Sequence, residues 1–447
     1  MRLEFRDLPG YDDIPGVEIP DDNLMGIWEP KRMPGIDEAR VLREGFEKPH
    51  GAARLRDAAR GRKRPLVIID DGTRTTPTDR ILPLVIDELH EAGIEDGQIR
   101  ILTAQGTHRK MSDGELAKKL GALMGRFEVH QHEWKKSRMH DFGKTADGTP
   151  VRANALLADS DFILGVGGIV PHRVKGLSGG AKIVFPGVSA PEMMERTQWE
   201  ASMQMSETVM GVPENSMRLR MEEAAKMAGL AYIVNVVGEG SGKIAGCFTG
   251  DPVAAHRAGG LLSREINAAR MPRRADIVLI DSYPADRDFW QSAKGFYAGT
   301  MAVRDGGSLI MVSPNPEGVA SNHPNMLEIG YRPHAEIVAM VQKGVDGSAA
   351  GGTSRSRMLD DLVGIAILAD VAQIVDKADC ILASPGVSAK DCKKLGLRHA
   401  RDATHALEMA LEKQGPRASI AVLRHGGHIL PLADERALAA NQMGKRS

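Results

Sequence analysis

Pro65-Leu66-Val67-Ile68-Ile69 runs straight into Asp70-Asp71-Gly72-Thr73-Arg74-Thr75-Thr76-Pro77, and this junction decides the fold. Five apolar residues in a row, rich in Val and Ile and closed by a polar turn, read as a strand buried on both faces. Beyond the turn, Ile81, Leu82, Val85, Ile86 and Leu89 recur at close to helical spacing, so Asp79–Ala92 reads as a helix. A second strand, Gln98–Thr103, follows and leads into Gln105-Gly106-Thr107-His108-Arg109. Strand, helix, strand is the repeating unit of a parallel sheet.

The rhythm continues outward. Strands are expected at Phe162–Val166, Ile183–Phe185 and Ala231–Val237. A second series follows at Ile277–Ile280, Ser308–Val312, Cys380–Ala383 and Ser419–Leu423. Helices are expected at Ser112–Leu120, which opens on a Ser112/Glu115 capping box, and at Asn215–Ala228 and His334–Gln342. The basic stretch Leu261–Arg274 reads as a hinge, Gly344–Ser356 as a loop and Met443–Ser447 as a frayed tail. The expected fold class is α/β, with mostly parallel sheets in two domains: 1–270, rejoined by 425–447, and 275–420.

Composition narrows the function. The 447 residues carry 58 basic and 59 acidic side chains, a net charge of -1, which argues against a bulk electrostatic nucleic-acid binder. Aromatics at 4% argue against a base-stacking platform, and 42% apolar residues against disorder. No window approaches the apolar length of a membrane span, and Met1–Asp13 lacks a signal-peptide core. Cys247, Cys380 and Cys392 are too scattered for a disulfide framework or a zinc site. A cytoplasmic protein without membrane or nucleic-acid partners is the expectation.

Four segments follow expected strands, where ligands gather in α/β sheets. In Asp71…Thr76, Arg74 can fork onto a carboxylate or phosphate and Asp71 can accept from a hydroxyl; the plainer reading is a helix cap. His108 lies on a strand-end loop and can act as acid or base near neutral pH. Gly165…Gly168, Pro171-His172-Arg173 and Gly176…Ser178-Gly179-Gly180-Ala181-Lys182 form a Gly-rich region able to approach an anion. It is no P-loop, because Ile183 stands where a magnesium-binding Ser or Thr belongs. Trp290-Gln291…Lys294 places two polar side chains three apart, on one face of a helix. His130, His132 and His140 match no strong metal pattern, and His425 with His428 is a weak candidate.

Together these segments resemble the lactate racemase family, the nickel-pincer nucleotide-dependent 2-hydroxyacid racemases and epimerases. The likeness runs through PDDNLMGIWEPK, DDGTRTTP, QGTHR, GGIVPHRVKGLSGGAKIVFPG and QSAK. It implies an active-site cleft between two α/β domains and a pyridinium-3-thioamide-5-thiocarboxylic acid mononucleotide carrying nickel. By matching motifs, Lys182 would attach the cofactor, with Asp71, Thr73, Ser178, Gly179 and Gly180 holding its ribose or phosphate. His108 and His172 would be paired acid/bases, and Arg74 would orient the substrate carboxylate. Gln291, Lys294 and Trp290 would meet the substrate, Lys294 close enough to share in catalysis. Enzymes that synthesise the cofactor would be partners.

Two departures stand out. The family's nickel-binding His lies sixteen residues after the attachment lysine, and that position is Gln198 here. The family's substrate-pocket Trp gives way to Gly351-Gly352-Thr353-Ser354-Arg355. The expected activity is therefore racemisation or epimerisation of a 2-hydroxy acid other than lactate. The alternatives are a member with weak or absent nickel that carries the nucleotide, or a hydrolase or lyase using His108, His172 and Lys182 without the cofactor.

Overall fold

A computed structural model describes residues 1–349 and 361–433. Contacts divide the chain into two compact units. One comprises 31–197 and 209–266; the other comprises 1–30, 198–208 and 267 onward.

Strand β1 (Leu24–Trp28) precedes every other strand of the two six-stranded sheets but belongs to the second unit. The first unit is built on β2 (Pro65–Asp70), β3 (Arg100–Ala104), β4 (Glu128–Gln131), β5 (Phe162–Gly168), β6 (Leu230–Gly238) and β7 (Ile244–Gly250). Their order across the sheet is β7-β6-β5-β2-β3-β4, parallel except for β6 with β7. Side-chain alternation explains the unbroken apolar runs. Val67, Ile69, Leu164 and Val166 fill the core on one face, and Leu66, Ile68, Ile163 and Ile233 that on the other. Helices α1 (Thr78–Glu91) and α2 (Asp113–Leu120) make the crossovers on one side, α2 opening on the Ser112/Glu115 capping box. Further along are α3 (Pro191–Ser202), α4 (Ser216–Met227) and α5 (Ala254–Asn267).

The second unit carries an all-parallel sheet of β8 (Ala275–Asp281), β9 (Val303–Val312), β10 (Asp379–Ala383), β11 (Arg398–Ala400) and β12 (Ile420–Leu423), with β1 at its edge. The order is β11-β10-β9-β8-β12-β1. Helix α6 (Phe289–Ala302) connects β8 to β9.

The structure departs from expectation at four places. The stretch Ile183–Phe185 is no strand: Val184 N and Phe185 N both donate to Ala181 O, and Gly187 N to Lys182 O, which closes the segment into tight turns. The stretch Leu261–Arg274 does hold a crossing between the units, at 266/267, but it is regular, with α5 reaching Asn267 and Ala268–Met271 pairing with Leu430–Ala433. That pairing keeps 425–433 in the second unit, while the rest of 425–447, with Met443–Ser447, lies outside the described residues. The helix from His334 runs on to Ala349, since glycine in a helix interior costs only about 1 kcal/mol; 350–356 lies outside the described residues.

The fourth concerns the boundaries of 1–270. Phe5, Leu8, Tyr11, Val17 and Ile19 pack against Ile277, Leu279 and Val422, so residues 1–30 join the second unit. Residues 198–208 do so as well. His334 Nε2 donates to Ser202 O at 3.0 Å, and Lys377 Nζ bonds Glu207 at 2.8 Å.

Candidate active site

The first unit's sheet reverses its winding between β2 and β5, where a parallel α/β sheet opens a crevice beyond its strand ends. The chain leaving β2 supplies Asp70 and Asp71. Asp70 fastens the turn: it accepts from Thr76 Oγ1 and pairs with Lys119, whose ammonium also reaches Thr76 O at 3.3 Å. Asp71 faces the loop after β3. Its Oδ2 lies 2.5 Å from His108 Nδ1, and its Oδ1 accepts from Thr73 Oγ1 at 2.7 Å. Burial would raise the Asp71 carboxyl, but the His108 ring and the Arg74 guanidinium outweigh it and hold the group well below the usual carboxylate range. A carboxylate on Nδ1 sets the imidazole so that Nε2 is left for chemistry. Asp71 and Thr73, expected to hold a cofactor, are thus both engaged with His108.

The chain leaving β5 supplies the second half. His172 sits in a two-residue pairing of Pro171–His172 with Gly176–Leu177. Val174 N donates to His172 Nδ1 at 3.1 Å, so the proton of the neutral ring is on Nε2. Gly179 and Gly180 have φ of +73° and +59°. A Cβ at Gly179 would lie 2.7 Å from Asn235 Oδ1, and one at Gly180 2.9 Å from the His256 ring. Asn235 Oδ1 accepts from Gly180 N at 2.7 Å. The Ser178 hydroxyl serves the loop itself, donating to Gly168 O and accepting from Val170 N. What this cradle offers a ligand is backbone.

Lys182 follows, half-buried. Burial, with Arg74 nearby, pushes its amine well below the ordinary lysine range. Among the described residues neither Lys182 Nζ nor the Arg74 guanidinium makes a hydrogen bond or ion pair. An unengaged amine with a lowered pKa at the end of a glycine cradle suits covalent attachment or anion binding.

In the second unit, Asp288 caps α6 by accepting from Gln291 N at 2.8 Å. Lys294 Nζ donates to Gln291 Oε1 at 2.8 Å, so the expected shared face is real. The Trp290 ring stands edge-on to His323 at 4.2 Å, and His323 Nδ1 is bonded to Asp361 at 2.6 Å. Burial pushes the Asp288 carboxyl up to about 6, against its bond from Gln291 N.

Other candidates have structural work. His132 is buried, with a pKa pushed down to about 4 by burial, and bonds Ser189 O and Asn154. His130 pairs with Glu128. Among the described residues no group of three His, Cys, Asp or Glu could hold a metal. Gln198 lies half-buried on α3. The three cysteines are free and buried. No described helix is long and apolar enough to cross a membrane. The Gly351–Arg355 substitution lies outside the described residues.

Sequence reasoning missed Lys119 and Arg218. Both are basic residues on the apolar face of a helix, Lys119 between Leu116 and Leu120 and Arg218 in line with Met221 and Ala225. That position was the available signal.

Comparison with known proteins gives a consistent picture. Residues 12–209 match the lactate racemase N-terminal domain model and 271–430 the lactate racemase C-terminal domain model. The chain is 32% identical over 310 residues to a lactate racemase from Thermoanaerobacterium thermosaccharolyticum, covering 67% of this chain and 72% of that protein. It is 31% identical over 288 residues to one from Lactiplantibacillus plantarum, covering 63% and 68%. Among solved structures, the lactate racemase apoprotein from T. thermosaccharolyticum superposes with a TM-score of 0.80 at 27% identity, covering 93% of this chain and 97% of that one. A Thermotoga maritima protein shares the fold, with a TM-score of 0.70 at 22% identity, covering 89% and 98%.

Proposed function

Because the chain belongs to the lactate racemase family, a family of isomerases, we propose that it inverts C2 of a 2-hydroxy acid other than lactate. The carrying observation is the Asp71–His108 pair beside a glycine cradle that ends in the unengaged Lys182 amine.

The site residues fit a pyridinium mononucleotide. Lys182 would attach it, and the backbone of Ser178–Gly180 would take its phosphate. When bound, the pyridinium ring supplies a hydride acceptor, which no side chain can provide. Asp71 holds His108 so that Nε2 takes the substrate's hydroxyl proton, and Thr73 steadies the same carboxylate. His172, its Nδ1 occupied by the Val174 N–H and its proton on Nε2, hydrogen-bonds the substrate oxygen, and the proton taken up by His108 is returned to that oxygen. Arg74 orients the substrate carboxylate. Gln291 and Lys294, hydrogen-bonded to each other, would bind the substrate's carboxylate or hydroxyl, with Trp290 beside them.

The fit to nickel is poor. An amide at 198 is a weak partner for a metal that favours imidazole. The substrate preference rests on the exchange of the family's pocket Trp for a smaller, Arg-bearing segment. The enzymes that build the nucleotide would be the chain's partners. The test is intact mass of protein co-produced with those enzymes, read with stereochemical scrambling across a 2-hydroxy acid panel. A mass adduct at Lys182 and turnover are expected; cofactor-bound protein inert across the panel defeats the reading.

Gln198 favours a second reading, a nucleotide carrier without metal. Nickel near one per chain, with turnover, defeats that one.

A further inference from the structure

Arg218, on α4, is among the most deeply buried side chains of the molecule, with 0% of its surface exposed. Its guanidinium touches no carboxylate. The nearest acid, Glu222, is bonded by Arg257 at 2.7 and 2.9 Å. Isolating a charge in this way is costly unless something else balances it.

The guanidinium is bonded instead to the Gly-rich loop. Nη1 donates to Gly179 O at 3.1 Å, and Nη2 donates to Lys175 O at 3.3 Å and to Leu177 O. The carbonyls in between are also taken: Gly176 O accepts from Gly211 N at 2.8 Å, and Ser178 O accepts from His256 Nε2 at 2.9 Å. His256 accepts from Arg257 on its other nitrogen, and burial keeps its ring neutral, so its one proton is committed to Ser178 O. Five consecutive carbonyls, 175 to 179, are therefore held by donors from 211, 218 and 256.

Aligned peptides have two ends. The negative ends are drawn to Arg218 and His256; of the amide ends, Leu177 N, Ser178 N and Gly180 N are taken by Lys175 O, Val170 O and Asn235 Oδ1, and what is left for a ligand is Gly179 N, with Ala181 N just beyond. Gly179 N and Ala181 N have no partner among the described residues. Arg74, close enough to act on the Lys182 amine, adds a guanidinium charge nearby.

We propose that Arg218 and His256 are positioning residues for a phosphate monoester at the Ser178–Gly180 loop, Arg218 also supplying uncancelled positive charge beneath it. The phosphate is the counter-charge that this buried guanidinium lacks. This rests on the nucleotide reading above and adds two residues that would never touch the ligand.

The test is calorimetric binding of nicotinic acid mononucleotide and of its phosphate-free riboside to the full-length chain. Wild type should prefer the mononucleotide by about tenfold or more. Arg218→Met should bring the ratio near one, and Arg218→Lys, which keeps charge but not the fork, should fall between. His256→Ala should lower the ratio and His256→Gln, which keeps a donor, should restore it. The His256 pair decides the matter if Arg218→Met does not fold. Equal binding of both probes by wild type overturns the nucleotide reading and this assignment with it. A wild-type preference kept by folded Arg218→Met, or untouched by His256→Ala, overturns this assignment alone.

Discussion

Each sheet reverses its winding once, and the two reversals are finished differently. In the first unit, β2 and β5 end in Asp71 and a glycine loop; the carboxylate holds the His108 imidazole and the nearby Lys182 amine is unengaged. In the second, β8 and β12 end in Asp281 and Arg424. Asp281 is wholly buried and accepts from Arg424 Nε at 2.9 Å and from Tyr283 N, His425 N and Gly426 N. Arg424 reaches on to Asp7 at 2.8 Å. Burial pushes the Asp281 carboxyl up to about 6 against the pull of Arg424, whereas Asp71 is held far down. One crevice is edged by a His–Asp pair and a glycine loop, where the proposed ligand would sit; the other is sealed by an ion pair and by a loop in which a Cβ on Gly426 would strike Asp281 O at 2.0 Å. Topology makes the place, and side chains decide whether it is used.

The contrast can be broken experimentally. The largest effect is expected at the open crevice: in cofactor-loaded protein, His108→Asn, whose amide can still donate to Asp71, should lower kcat about 10³-fold and lower stability less than Arg424→Met does. An equal drop in stability instead would make this crevice structural too. At the sealed crevice the converse holds. Arg424→Met should cost about 3 kcal/mol in urea unfolding, because it leaves a buried carboxylate unpaired. Unchanged stability would mean that the ion pair is not what closes it. Lys294→Met should raise KM for the hydroxy acid about tenfold and affect kcat less; a pure kcat loss would instead place Lys294 in the proton transfers.

The smallest effect is a pH dependence. Asp71 titrates below its unfolded value, so its ionisation contributes stability that is fully present above about pH 4 and lost as the pH falls through the folded value. Asp71→Asn should flatten the acid limb of a Tm-against-pH curve below about pH 4. An unaltered limb would show that the His108 contact carries no charge.

Much of this was legible in the chain itself. Strands such as Pro65–Asp70 announce themselves because burial on both faces leaves no polar position. Gln291 and Lys294 were readable as a pair because a helix fixes what lies three residues away. Ile183–Phe185 misled because a short apolar run has no period of its own, and tertiary turns claimed it. The job of Asp71 was hidden, since its partner is 37 residues away on another strand's loop. Arg218 was hidden for a deeper reason: local sequence says nothing of whether a charge will find an anion or a row of carbonyls.

The division into units bears on how the chain is made. Its backbone passes between them at 30/31, 197/198, 208/209 and 266/267. Leu24–Trp28 finds its only strand neighbour among the described residues in Ile420–Leu423. At ribosomal rates of about 5–20 residues per second, that early strand waits roughly 20–80 seconds for its mate. The first unit has all its strands by residue 250 and can settle while the second is still being synthesised. An edge left unpaired for so long is an invitation to mispair, which makes β1 the natural place for a chaperone to act during synthesis.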